Sequence, residues 1–167
     1  GLAGTRDLIS FFKHATPAAG NVAPGIRHAF GWGVSQTGRF LRHFVYEGFN
    51  ADEQGRVVFD GVFDQVGGAG RGSFNHRFGQ QSRDQLQHFN IQYPVDMFPF
   101  TDGDETDPVT GVTDGLLARA RASGTVPQFI HLLTHSAYFN RAGSLVHTGV
   151  AGTRDVARRL YATVQDL

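Results

Sequence analysis

Cysteine is absent from the sequence, and so are runs of like charge and hydrophobic stretches long enough to span a membrane. Without cysteine there is no disulfide, no thiolate nucleophile and no cysteine-ligated metal, although this absence fits reducing and oxidising compartments equally. Fifteen basic and fifteen acidic residues cancel, which argues against a nucleic-acid partner. We predict no metal, no cofactor and a small-molecule partner. Localisation and oligomeric state stay open.

Glycine and phenylalanine are abundant, with 22 and 15 residues. Such turn content and aromatic mass suit long ordered loops around an apolar pocket. A length of 167 residues with 40% hydrophobic content is enough for one compact domain with a core. The first residues, GLAGTRDLISFF, lack the basic start and apolar centre of a signal peptide. We predict a single domain over residues 1–167.

Hydrophobic spacing predicts an alternation of helices and strands. Leu8, Ile9 and Phe12 fall on one face of a first helix, and a helix capped by Asp114 carries Leu116, Leu117 and Ala120 and ends at Gly124. Strands are predicted at residues 26–32, 57–63 and 128–133. Residues 156–164 fit a helix or an alternating strand, and we favour the helix. Strand, helix and strand at this spacing predict an α/β fold, a mostly parallel sheet with flanking helices.

Ser35 stands between the first predicted strand and an amphipathic helix that carries apolar residues at helical spacing. Gly33 and Gly38 bracket it, and small flanking residues let a strand and a helix approach closely. A serine at such a sharp turn is the arrangement of a nucleophile elbow. The sequence departs from strict G-x-S-x-G because Thr37 occupies the final glycine position. A turn serine that only caps the helix is the alternative, but the strand and helix around it favour a nucleophile.

Asp64 stands where the second predicted strand ends. The carboxyl ends of parallel strands meet at the sheet edge where open α/β sheets bind ligands, so a carboxylate there can serve Ser35. A strand-end aspartate that caps a turn is the alternative. His135 and His147 follow the third strand, and we interpret both as packing or rim histidines rather than catalytic ones.

Residues 66–102 lack regular periodicity and predict a long loop. We expect residues 67–100 to lie over the Ser35 side of the sheet and to determine the substrate, because large apolar side chains need a surface to cover. Packing of the loop onto the sheet is the alternative. Arg71, Phe74 and Arg77 are candidate substrate-binding residues, with the arginines available for a polar substituent or carboxylate. The large apolar residues are Phe74, Phe78, Phe89, Tyr93, Met97, Phe98 and Phe100.

Five blocks in the same order, GVSQTGRFLRHF, GAGRGSFNHRF, YPVDMFPFTD, DPVTGVTDGLLARAR and RAGSLVHT, resemble a family of α/β-hydrolase domain proteins over nearly the whole chain. The resemblance implies a partial α/β-hydrolase fold, Ser35 as nucleophile and the backbone N–H of Gln36 as half of an oxyanion hole. The family pattern has an acidic residue where this chain has Ala137, and its catalytic histidine falls beyond Leu167. The resemblance therefore implies a chain incomplete at both ends and inactive alone, and we expect Asp64 to replace the missing acid.

The implied chemistry is acyl transfer to Ser35 from an ester-like small molecule. A histidine takes the serine proton, the hydroxyl oxygen attacks the carbonyl, and backbone donors stabilise the oxyanion. Serine hydrolase is the leading interpretation, because the elbow has a chemical purpose that a binding module does not need. The alternative is a non-catalytic small-molecule binding protein on a degenerate hydrolase fold. Ala137 favours this alternative, because loss of an orienting carboxylate slows related triads by about 10⁴-fold.

Overall fold

The structure, a computed structural model, describes residues 1–71, 74 and 97–150, and the backbone of residues 160–164. The helices are α1 (Leu2–His14), α2 (Gln36–Tyr46), α3 (Ala118–Ala122), α4 (His135–Asn140) and α5 (Leu145–Thr148), with a 3-10 turn at Pro17–Ala19. The strands are β1 (Phe30–Val34), β2 (Gly61–Gln65), β3 (Glu105–Thr106), β4 (Thr113–Asp114), β5 (Gln128–Thr134) and β6 (Leu160–Val164). No helix of the described part has the length and apolar character needed to cross a bilayer.

Four strands form a parallel sheet in the order β1-β2-β5-β6, while β3 and β4 make a separate antiparallel pair. The parallel pairing and the flanking helices confirm the predicted α/β fold class. Gly33 pairs with Asp64, and Asp64 pairs with His131. Directly paired residues project toward the same face of a sheet. The register therefore brings these three residues together on one face, beside α2.

The core lies between α2 and this face of the sheet. Phe44 and Val45 of α2 are fully buried, and Gly31 of β1 lets the side chain of Leu41 approach the sheet backbone. Burial of each large apolar side chain contributes on the order of 2 kcal/mol. The buried members of the core are Leu2, Leu41, Phe44, Val45, Val58, Phe59, Val62, Leu116, Leu117, Ala120 and Phe129.

The opposite face of the sheet carries the other side chains of β1. Phe30 and Trp32 are 75% and 70% exposed. Trp32 stacks on Phe63 of β2 with ring centroids 6.4 Å apart, and its indole N–H donates a hydrogen bond to Gln65 at 3.1 Å. The alternation of exposed and buried positions along β1 therefore follows the strand period of two.

The strand boundaries differ from the sequence expectations at β1 and β2. The first strand begins at Phe30 rather than at residue 26, and the second begins at Gly61 rather than at residue 57. Val58 and Phe59 supply apolar side chains to the core before β2 begins. The Asn50 side chain binds the backbone N–H and C=O of Phe59 at 2.9 and 3.0 Å, in place of a neighbouring strand. The third predicted strand is confirmed as β5.

The first predicted helix is confirmed as α1, although Leu8 is 54% exposed and lies outside the face that packs on the core. Two other helix expectations are wrong. Asp114 lies in β4, where its carboxylate accepts hydrogen bonds from the Gly115 N–H and the Tyr46 hydroxyl, and α3 begins later at Ala118. The last segment forms β6 instead of a helix. Residues 160–164 form a strand because they pair with β5. The edge of β5 supplies backbone hydrogen-bond partners, and the local sequence alone does not reveal that these partners are present.

Candidate active site

Ser35 occupies the sharp junction between β1 and α2, as predicted from the strand and helix around it. Its backbone has φ 54° and ψ −112°, a conformation that a residue with a Cβ rarely adopts and that costs on the order of 1–3 kcal/mol. The Ser35 N–H donates a hydrogen bond to the Gln65 carbonyl at 2.7 Å, which ties the turn to the end of β2. Gln36 is the first residue of α2, so its N–H is one that an α-helix leaves without an intrahelical acceptor.

Glycine is required at positions 33 and 38 because the turn is tightly packed there. A Cβ on Gly33 would stand 2.4 Å from the Thr37 carbonyl oxygen, and one on Gly38 would stand 2.1 Å from Oδ1 of Asp64. Thr37 accepts a hydrogen bond from the Val34 N–H at 2.7 Å and donates one to the Val34 carbonyl at 2.8 Å. The second glycine of the pattern therefore falls at 38, where α2 meets β2, and the threonine at 37 closes the turn.

Gly38→Ala is expected to lower the free energy of unfolding by about 2–3 kcal/mol, because the new methyl group overlaps the buried Asp64 carboxylate. Gly4→Ala in α1 is the matched control. No atom lies within 4 Å of the Cβ position there, so this change is expected to stabilise by about 0.5–1 kcal/mol through helix propensity. Urea unfolding measures the free energy of unfolding of both variants. A Gly38→Ala protein as stable as the Gly4→Ala protein would contradict the close approach of Asp64.

A cavity of about 250 Å³ opens beside Ser35. It lies where β1, β2 and β5 end, the edge at which parallel sheets bind ligands. Val66, directly after β2, has φ 52°, a genuine outlier for a β-branched residue, and its N–H donates to the Leu132 carbonyl at 2.7 Å. The cavity is lined by Ser35, Arg39, Val66, Thr134, Ser136, Ala137 and Arg141. The described part of the lining is mostly polar, while the apolar pocket predicted from the loop at 67–100 stays a prediction, since most of that loop lies outside the described residues.

Arg71 and Phe74 pack against α2 and are not among the residues that line the cavity. The Arg71 guanidinium lies 3.8 Å from the centroid of the Tyr46 ring and donates a hydrogen bond to the Phe98 carbonyl. Phe74 packs edge-on against Phe40, with centroids 5.3 Å apart. Their part in substrate binding stays a prediction. Arg77 and most of the predicted loop at 67–100 lie outside the described residues.

Asp64 belongs to a group of buried side chains on the α2 face of the sheet, here called the buried charge cluster: Arg42, Asp64, Asp102 and His131. Nδ1 of His131 lies 3.2 Å from Oδ2 of Asp64 and 3.4 Å from Nη1 of Arg42. Nε2 of His131 lies 3.6 Å from Oδ2 of Asp102. All four residues are at most 1% exposed. A histidine therefore joins two carboxylates and a guanidinium inside the core.

The environment of His131 determines its charge. Burial lowers the pKa of His131, while the hydrogen bond with Asp64 opposes that shift and the nearby Arg42 guanidinium reinforces it. The pKa therefore lies below its usual range, and the imidazole is neutral at pH 7. That Asp64 orients a catalytic histidine stays a prediction, and the histidine that the structure places beside it is His131.

Two arginines of the cavity were not predicted from the sequence. Arg39 lies one helical turn after Ser35 on α2, a spacing that could have indicated it. Arg141 follows α4, and no local pattern links it to Ser35. The described lining contains no histidine, so neither His135 nor His147 contributes to it. Within the described residues, no group of three or more histidine, cysteine or acidic side chains is arranged to hold a metal ion.

Comparison with known proteins gives one clear finding. Residues 5–147 match the model of a family described as an alpha/beta hydrolase domain. The comparisons with curated proteins and with solved structures give no match. The family match spans the turn at Ser35, the buried charge cluster and the cavity.

Proposed function

The chain belongs to the alpha/beta hydrolase domain family, and we propose that the protein is a serine hydrolase. In this proposal, the acyl group of an ester-like small molecule is transferred to Ser35. The observation that carries the proposal is the backbone of Ser35, which holds φ 54° and ψ −112° between β1 and α2. Backbone conformations of this cost cluster at active sites, where they hold a reacting group in place. The cavity beside Ser35 gives a substrate a place to bind.

The proposed reaction proceeds in two steps. The Ser35 hydroxyl gives its proton to a general base as its oxygen attacks the ester carbonyl carbon, and the alcohol leaves with a proton. Water then attacks the acyl-serine ester, which releases the acid and restores the hydroxyl. The oxyanion of each step accepts a hydrogen bond from the Gln36 N–H, and such a donor lowers the barrier by about 3 kcal/mol. Since the described lining of the cavity has no histidine, we propose that the base comes from outside it.

A non-catalytic small-molecule binding protein is the second candidate. The observation in its favour is Ala137, which lines the cavity at the position where the sequence resemblance predicts an acid. The described lining also lacks aspartate and glutamate. A binding protein would keep the cavity and lack the activated hydroxyl.

A fluorophosphonate probe tests the proposal on the protein expressed from the complete gene. We expect the probe to label one serine, with the modified peptide containing Ser35, and Ser35→Ala to remove the label. Ser123→Ala is the matched control, because Ser123 lies at the end of α3 and hydrogen-bonds to Thr125 at 2.7 Å, outside the cavity. Labelling of Ser136, the other serine of the cavity, would contradict the assignment, and absence of labelling in a folded protein would favour the binding protein.

A further inference from the structure

Val66 lines the cavity in a backbone conformation that is rare for its residue type. It directly follows β2 and has φ 52°, in the left-handed region. A branched Cβ crowds the neighbouring backbone in this region, whereas glycine adopts it freely. Strain of this kind persists where the surrounding structure fixes it, and it is concentrated at functional sites. The side chain at position 66 is therefore a candidate for a functional role.

The two residues after Val66 are glycines, and both positions are closely packed. A Cβ on Gly67 would stand 2.3 Å from Oδ1 of Asp64, and one on Gly68 would stand 2.5 Å from the Arg141 carbonyl oxygen. The sequence thus has glycine at 67 and 68, where the available space excludes a side chain. At position 66 it keeps a branched side chain, although the φ angle there favours glycine. Since glycine would make the turn without strain, the isopropyl group is what position 66 supplies.

The backbone around Val66 is held by both neighbouring strands. The Val66 N–H donates a hydrogen bond to the Leu132 carbonyl of β5 at 2.7 Å, and the Gln65 carbonyl accepts one from the Ser35 N–H at 2.7 Å. Residues 65 and 66 therefore connect the turn at Ser35 to β5. A side chain on a backbone held in this way does not move aside for a larger ligand, because close-packed regions deform little.

The isopropyl group of Val66 is the largest apolar group in the described lining of the cavity, where Ala137 is the other apolar residue. The cavity volume of about 250 Å³ is below the roughly 300–1,000 Å³ typical of sites for drug-sized ligands. In acyl transfer, the acyl group stays attached to the serine oxygen after the alcohol has left, so the acyl group is the part of the substrate that the cavity has to hold. The isopropyl group takes up space that a longer acyl chain would need.

Given the proposed acyl transfer, on which this inference rests, we propose that Val66 is a specificity-determining residue that restricts the site to esters with a short acyl group. A fixed apolar wall discriminates strongly by size, because one methylene group in a fitted pocket changes the rate by about 10–200-fold. The substrate class is therefore short-chain acyl esters. Removal of the isopropyl group should admit longer acyl chains.

Hydrolysis of 4-nitrophenyl acetate and 4-nitrophenyl hexanoate by the protein from the complete gene measures this size limit, because the two esters differ only in acyl length. The unmodified protein is expected to favour the acetate at least tenfold in kcat/KM. Val66→Gly is expected to reduce this ratio at least fivefold, and Val66→Ala, which loses two methyl groups, is expected to reduce it in the same direction. Val109→Ala is the matched control and should leave the ratio unchanged, because Val109 is 89% exposed between β3 and β4 and lies outside the described lining.

Urea unfolding separates the effect of the side chain from an effect on the turn. Val66→Gly should unfold at a urea concentration about 0.5 M higher than Val66→Ala, since only glycine relieves the strain at φ 52°. A Val66→Gly protein less stable than Val66→Ala would overturn the inference, because the valine would then serve the turn.

The ester ratios distinguish failure of this inference from failure of the proposed function. An unchanged ratio in either Val66 variant, or equal rates for both esters in the unmodified protein, overturns the size limit and leaves the serine hydrolase intact. Hydrolysis of neither ester by the unmodified protein overturns the proposed function and the size limit together.

Discussion

Ser35→Gly is expected to abolish turnover and at the same time to stabilise the protein. Turnover of an activated ester should fall by at least about 10⁴-fold, because no oxygen remains to accept the acyl group. The free energy of unfolding should rise by about 1 kcal/mol. Glycine adopts φ 54° and ψ −112° without the Cβ contact that costs on the order of 1–3 kcal/mol, and this gain exceeds the roughly 0.5–1 kcal/mol that glycine loses in unfolded-state entropy.

Ser35→Ala is the matched control for the backbone effect. Alanine also lacks the hydroxyl, so turnover should fall to the same extent, but its Cβ keeps the strain and the free energy of unfolding should stay within about 0.5 kcal/mol of the original protein. Ester turnover and urea unfolding of the protein from the complete gene measure both effects. A Ser35→Gly protein no more stable than Ser35→Ala would show that the turn is not strained. Retained turnover in either variant would remove Ser35 from the reaction.

Arg42→Met is expected to lower the free energy of unfolding by about 3–5 kcal/mol. Arg42 is fully buried and supplies the permanent positive charge of the buried charge cluster, where Nη1 lies 3.4 Å from His131 and Nη2 donates to the Phe100 carbonyl at 3.0 Å. Burial lowers the pKa of His131, so in the original protein the imidazole is neutral at pH 7 and Arg42 carries the positive charge of the cluster. In the Arg42→Met protein, the carboxylates of Asp64 and Asp102 would then stay in the core without the guanidinium.

Three further variants test this explanation, namely Arg27→Met, Asp64→Asn and the combination of Arg42→Met with Asp64→Asn. Arg27→Met at an exposed position should change the free energy of unfolding by less than about 0.5 kcal/mol. The double variant Arg42→Met with Asp64→Asn should lose less than the sum of the two single variants, because it removes charges of both signs from one cluster. Urea unfolding at pH 7 measures all four proteins. Strictly additive losses would mean that Arg42 stabilises the core by packing rather than by charge.

The turn at Ser35 was predictable from the sequence because it depends on neighbouring residues. The spacing of apolar residues and glycines placed a sharp turn at Ser35 between a strand and a helix, and the structure has that turn. Such geometry is dictated by short-range sterics, in which Gly33 admits the close approach of the Thr37 backbone that a larger side chain would block. The parallel sheet was predictable as well, since parallel strands need a crossover of a dozen or more residues and the chain supplies it with a helix.

The contacts of the buried charge cluster and of the cavity lining join residues far apart in the chain. Asp64 meets His131 across 67 positions because the strand register aligns β2 with β5, and Arg42 meets His131 across 89 positions because α2 packs on that face of the sheet. Arg141 is likewise held by a residue distant in sequence, because its carbonyl accepts a hydrogen bond from the Ala69 N–H. Sequence patterns record the period of an element but not the partner of each side chain.

The α/β fold class and the position of the turn at Ser35 therefore follow from the amino-acid sequence. Each of these follows from hydrophobic period or from backbone sterics within a few residues. Tertiary contacts, by contrast, make the described lining of the cavity polar, bring two arginines to it, set Asp64 against His131 and pair residues 160–164 as a strand. These features depend on which strands pair and in which register. The free energy that favours one strand pairing over another comes from contacts throughout the core.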